Sequence, residues 1–340
     1  MIRVTSATLA GRAGRLSARI ALSRLDEAVA AEVRMADPRD AEALHDLRVS
    51  LRRLRTCLRA YRPWLREAVA DRLQRRLRTV AADTGAGRDA EVQAAYLHGF
   101  ESRGPRSRGS AAGWLRERVE TRQAGSEDGA QAVARARTAF RGLEPELRQR
   151  LSASLLRPRR GTQPQPSFAR VTGDLVLKAS SKLQRRLASI RSARDVKRAH
   201  RARIAGKRLR YLMEPLRRRS AAWGRCLTAL KGLQDTLGEL HDMHVLSAEL
   251  ASLIEKLAAE EARRRLRVSL GEEPAGPAPR YPLPGLLGLA RAARRREDRL
   301  YARHGRTWGE SRRARFFGEL SSLAESLRGT TPAPRRSRSP

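Results

Sequence analysis

Leucines recurring at steps of three and four run through the chain and mark helices along most of its length. In HDLRVSLRRLRTCLRAYRPWL, from His45 to Leu65, residues Leu44, Leu47, Leu51, Leu54, Leu58, Tyr61 and Leu65 draw one apolar stripe. One residue on, His45, Arg48, Arg52, Arg55, Arg59 and Arg62 keep the same period. They form an acid-free cationic stripe about 100° round the helix and roughly 25 Å long. Upstream, Leu16, Ile20, Leu25, Val29 and Val33 predict a helix from about residue 12 to 35, ended by Asp37-Pro38, with Asp40 placed to cap the next. Further helices are expected at about 65–82, 111–123, 130–156, 169–191, around His200, through 227–268 and at 286–328. Glycine- and proline-rich stretches at 99–110 and 271–285 read as loops. No alternating strand pattern occurs, so the expected fold class is all-α.

The pattern is stated twice. HRARIAGKRLRYLMEPL begins at His200, and with an offset of 155 residues His45 falls on His200, Arg48 on Arg203, Arg52 on Lys207, Arg53 on Arg208 and Arg55 on Arg210. The apolar stripe returns as Ala199, Ala202, Gly206, Leu209, Met213 and Leu216. A second echo places LRTVAADTGAGRDAEV from Leu77 on LKGLQDTLGELHDMHV from Leu230, with Gly85 on Gly238 and Asp89 on Asp242. Two ordered echoes at nearly one offset imply an internal duplication. The expected architecture is two pseudo-symmetric four-helix bundles, at 10–156 and 169–328, joined by the proline-rich linker 157–168. The basic tail, 329–340, is expected to be disordered.

Charge changes the picture from a helical bundle to a polyanion partner. The 340 residues carry a formal net charge of +36, and of the 72 basic residues six are lysine. Arginine's planar fork suits bidentate phosphate contacts. With aromatics at only 4 % and scattered, base stacking on single strands is disfavoured, leaving nucleic acid as a non-specific alternative. Cys57 and Cys226 read as reduced and structural. No apolar run approaches the ~20 residues of a membrane span, so a cytoplasmic protein is expected.

The candidate ligand contacts are the duplicated cations: His45, Arg48, Arg52, Arg53, Arg55 and Arg59, then His200, Arg203, Lys207, Arg208 and Arg210, with Lys178 and Lys182 beside them. A metal at His45 or His200 is disfavoured, because Arg48 and Arg203 occupy the positions where a further ligand would stand. His241 and His244 have chelating spacing, but their counterparts are Arg88 and Glu91. Asp89 and Asp242 are read as structural, capping a helix or fixing an arginine. No metal or cofactor is expected, and there is no G-x-x-x-x-G-K-[ST] loop or repeated carboxylate pair for phosphoryl transfer. Glu214, the one acid on the second stripe, stands where the first copy has Arg59 and is expected to orient neighbouring arginines.

HDLRVSLRRLR at His45, HRARIAGKRLRY at His200 and LQDTLGELHD from Leu233 to Asp242 together resemble the CHAD domain, the conserved histidine α-helical domain. The resemblance spans about residues 10–328. It implies two four-helix bundles sharing a basic groove that binds inorganic polyphosphate without catalysis, at polyphosphate granules.

Overall fold

The computed structural model describes residues 4–37, 39–40, 42–65, 69–84, 96–100, 106–124, 127–156, 166–274 and 281–330. Helices α1 (Ser6–Ala10), α2 (Ala13–Arg34), α3 (Glu42–Ala60), α4 (Arg62–Leu65) and α5 (Asp71–Asp83) open the chain. Next come α6 (Arg106–Ala124), α7 (Glu127–Leu156), α8 (Phe168–Ala188) and α9 (Val196–Met213). The series ends with α10 (Ala221–Ser269), α11 (Leu283–Thr307) and α12 (Glu310–Arg328). No strand occurs among the described residues, and the fold is all-α.

The apolar stripes decide the packing. Leu47, Leu51, Leu54 and Leu58 of α3 are buried, as are Leu209 and Met213 of α9, each such side chain contributing about 1.5–3 kcal/mol. Helices α2, α3, α5 and α7 form a ring in which each packs on the next and α7 closes on α2. Helices α8, α9, α10 and α12 form a second ring in the same chain order. Helix α11 doubles back on α10 and also packs against α6.

The rings meet through α2 on α8 and α3 on α9. At the starts of α2 and α8, Arg12 and Ser167 form a single antiparallel bridge. There the Ala13 N–H donates to the Pro166 carbonyl at 3.1 Å and the Phe168 N–H to the Gly11 carbonyl at 2.8 Å. Beside the bridge Tyr61 stacks on Phe168 with ring centroids 5.2 Å apart, and its hydroxyl meets that of Thr172 at 2.8 Å.

Two expected helices are broken. The His45 helix ends at Ala60, because Tyr61 turns and Pro63 has no N–H to continue the ladder. Arg62 therefore leaves the stripe and pairs with Asp71 at 2.7 Å. The helix expected over 286–328 is two, α11 and α12, hinged at Trp308-Gly309. Gly309 is extended (ψ 169°), and a Cβ there would lie 2.8 Å from the Gly305 carbonyl oxygen. Trp308 turns into the core against Phe316, edge to face at 4.9 Å. Of the expected linker, residues 157–165 lie outside the described residues, as does the tail from 331, while Phe168 already belongs to α8.

Gly173 sets the spacing of α8 and α12. It is buried, and a Cβ there would come within 2.7 Å of the Ala324 carbonyl oxygen and would also meet the Arg328 side chain. Overpacking of that kind costs about 1–3 kcal/mol. Gly173→Ala is expected to lower stability by about that amount in chemical denaturation, despite alanine's better helix propensity. A neutral or stabilising result would show that the two helices can part freely.

Candidate polyanion site

The contact between α3 and α9 brings the two echoed motifs side by side, and the charges on its two edges are opposite in kind. On one edge lies an ion-pair knot around Glu214, which is 8 % exposed. Arg24 reaches it at 3.2 Å, Arg53 at 3.0 Å and Arg210 at 3.7 Å. Glu27 adds a second acid, 2.8 Å from Arg24. Glu214 thus gathers arginines from α2, α3 and α9, with Arg210 also lying over the Tyr211 ring at 5.2 Å. Arg53 and Arg210, expected to face a ligand, are turned to this acid instead.

The other edge gathers cations. Burial first, then the charges of Arg59, Arg78, Arg52 and Arg208, holds the Arg55 guanidinium below its ordinary range. Arg208 is depressed in the same way, by burial and then by Arg59. Five arginines from α3, α5 and α9 therefore share one neighbourhood, and among the described residues none of them forms an ion pair. With the 155-residue offset Arg53 corresponds to Arg208 and Glu214 to Arg59. The contact that closes on an acid at one edge is a meeting of like charges at the other.

Arg78 had no signal in the periodicity of α3 or α9, since it enters from α5 by tertiary contact. Arg48 departs from expectation in the other direction. It is 7 % exposed, and its Nε donates to the Thr84 carbonyl at the end of α5. Its position at the edge of the apolar stripe lets α5 cover it. Its counterpart Arg203 is half-buried, with Nε near Gly238, where a Cβ would stand 4.0 Å away. Lys178 and Lys182 are exposed on α8. Asp242 is half-buried on α10, and Asp89 lies outside the described residues.

Residues 19–251 match the family model of the CHAD domain. This chain belongs to the CHAD domain family. The crystal structure of the CHAD domain from the plant Ricinus communis has a similar fold, with a TM-score of 0.56 and 22 % identity, over 95 % of this chain and 97 % of that one. No curated protein matches this chain. The CHAD family is associated with polyphosphate binding.

The histidines that name the CHAD family sit in different surroundings here. His45 is exposed in the first turns of α3. His200 on α9 faces His241 on α10, ring centroids 4.8 Å apart. Partial burial, then Arg203 and Lys207, hold the His200 imidazole below its usual range, favouring the neutral ring. His244 is buried, and its Nε2–H donates to the Ala193 carbonyl at 2.7 Å. No cluster of three or more His, Cys, Asp or Glu side chains suited to a metal occurs among the described residues. Cys57 and Cys226 are buried and unpaired, and burial pushes their thiols up to about 12 and about 11. No helix among the described residues is long and apolar enough to cross a membrane.

Proposed function

We propose that this CHAD protein binds inorganic polyphosphate, without turning it over, on the cationic edge where α3, α5 and α9 meet. The observation that carries the reading is the set Arg52, Arg55, Arg59, Arg78 and Arg208, drawn from both halves of the chain and unpaired with any acid among the described residues. Holding guanidinium groups together without counter-charges is unfavourable in an empty protein. A linear polyanion with a charge on each unit removes that cost by bringing phosphates to them in bidentate fashion. His45, His200, Lys207, Lys178 and Lys182 extend the surface on α3, α9 and α8. Arg48, Arg53, Arg203 and Arg210 are assigned positioning roles, holding α3 and α9 against their neighbours. The pseudo-twofold relation between the halves is part of the reading. It is supported by the matching helix rings and by the Arg12–Ser167 bridge, whose residues are separated by the same 155 positions as the histidines. Phosphoryl transfer calls for carboxylates to hold Mg²⁺, whereas the described groups of this edge are arginines. Location at polyphosphate granules follows from the same reading.

Competition tests it. Labelled long-chain polyphosphate is displaced with unlabelled polyphosphate or duplex DNA at equal phosphate concentration and fixed salt. DNA is expected to be at least about tenfold the weaker competitor, since diffuse attraction alone would not distinguish the two. Equal displacement would overturn the assignment and leave non-specific nucleic-acid binding in its place.

Proton uptake gives a second check. Partial burial, then Arg203 and Lys207, hold the His200 imidazole below its usual range in the free protein. A bound polyanion reverses that electrostatic pressure and raises its pKa, so affinity should grow as pH falls. Calorimetry at pH 6 in two buffers of different ionisation enthalpy should show uptake of up to about one proton, diminished in His200→Gln. Undiminished uptake in that variant would remove His200 from the binding surface.

A further inference from the structure

Away from the α3–α9 contact, α10, α11 and α12 line a half-open pocket of about 340 Å³. It shares no residue with the cationic edge. Its lining combines two features that do not ordinarily serve one another. Trp308 and Phe316, packed edge to face at 4.9 Å and only 7 % and 9 % exposed, present narrow aromatic edges at its floor, and Arg303 and Arg312 stand at its side. Neither arginine forms an ion pair among the described residues, and the lining includes no carboxylate. The hydroxyls of Thr236 and Thr307 donate to carbonyls of their own helices, Gly232 at 3.1 Å and Arg303 at 2.8 Å. The guanidinium groups are therefore the polar donors left for a guest.

Gly232 adds a third observation. It stands inside the 49-residue helix α10, where glycine is a poor helix former, and a Cβ there would meet nothing within 4 Å. Packing does not require glycine at this point of the wall. Its missing side chain leaves the cavity open.

We infer that this pocket is a second anion site, for a small aromatic phosphomonoester, whose ring meets the exposed edges of Trp308 and Phe316 and whose phosphate takes Arg303 and Arg312. Inorganic phosphate would use the arginines and leave the aromatic edges wet. A neutral aromatic would use those edges and leave the cations unpaired. A long phosphate chain suits an open groove, whereas a volume near the lower end of the ~300–1,000 Å³ range of ligand pockets suits a small molecule.

The test uses the full chain carrying Arg55→Glu and Arg59→Glu, so that anion binding at the cationic edge is suppressed and the outcome is independent of the polyphosphate reading. Adenosine monophosphate is titrated while tryptophan fluorescence is followed, with adenosine and inorganic phosphate in parallel and calorimetry confirming each. Adenosine monophosphate should bind and change the emission, with the other two at least tenfold weaker. Arg303→Ala with Arg312→Ala should weaken its binding at least tenfold, since both side chains are exposed and their loss leaves the core intact. Gly232→Leu should do the same by filling the cavity, with no fall in thermal midpoint. Binding of inorganic phosphate as tight as that of the nucleotide would overturn the aromatic half of the assignment. Absence of nucleotide binding, or nucleotide binding undisturbed in Gly232→Leu, would overturn the site.

Discussion

Reversing two charges on the cationic edge, Arg55→Glu with Arg59→Glu, should weaken polyphosphate binding at least ~100-fold and flatten its salt dependence. A charge-assisted hydrogen bond contributes about 1.5–3 kcal/mol, so losing two accounts for some 3–6 kcal/mol before the new repulsion is counted. Each lost phosphate contact also removes one released counterion, lowering the slope of log K against log salt by nearly one, by analogy with nucleic acids. The fold should tolerate the change, because Arg59 is exposed and neither residue belongs to the Glu214 knot. Relief of the mutual repulsion among Arg52, Arg55, Arg59, Arg78 and Arg208 even favours the folded state. The control is Arg335→Glu with Arg336→Glu in the basic tail, an equal change in net charge. Affinity there should stay within about twofold, since neither residue is one of the five arginines assigned to the cationic edge. Equal losses from the two pairs would mean that total charge, and no particular place on the surface, attracts the ligand. Titration by fluorescence anisotropy at three salt concentrations decides the matter.

Glu214→Gln should have the opposite signature, a loss of stability with no loss of affinity. The side chain touches Arg24, Arg53 and Arg210, and the Arg24 and Glu214 side chains are only 8 % and 11 % exposed. Removing one member of such a buried pair typically costs 3–5 kcal/mol, because the partner charge stays behind unpaired. Glu27 still serves Arg24 at 2.8 Å, which places the expectation near 3 kcal/mol. The thermal midpoint should fall by about 4 °C. Polyphosphate affinity should hold or rise, since the substitution removes an acid from the α3–α9 contact. A stable variant that binds poorly would reassign Glu214 from the frame of the site to the site itself.

Most of the fold was legible because leucine spacing reports directly on which face of a helix is buried. Leu47, Leu51, Leu54 and Leu58 were placed in the core by period alone, and they are there. Periodicity reports each helix by itself, however, and says nothing of what covers the edges of its stripe. Arg48 and Arg53 lie at such edges, where α5 and the Glu214 knot capture them. Arg59 and Arg208 carry the same residue type at comparable edges and stay uncovered by acid, a difference that only the α3–α9 pairing reveals. Arg78 was invisible for the same reason. The hinge at Trp308-Gly309 was missed because a single glycine in an arginine-rich stretch resembles the helical glycines elsewhere in the chain. Its effect comes from Trp308 finding Phe316 and Phe317. Glu214 was readable, as the lone acid that breaks a repeated cationic row.

The Glu214 knot also imposes an order in time on the making of the molecule. Arg24 waits for a partner 190 residues downstream. At roughly 5–20 residues per second, a ribosome delivers that acid some 10–40 s after the arginine. Until then Glu27 is the acid that Arg24 and Arg53 reach among the described residues of the first half, and the Glu214 edge of the α3–α9 contact cannot form. The emerging amino-terminal ring is therefore an arginine-rich intermediate, translated beside ribosomal RNA, whose Arg24 and Arg53 still await Glu214.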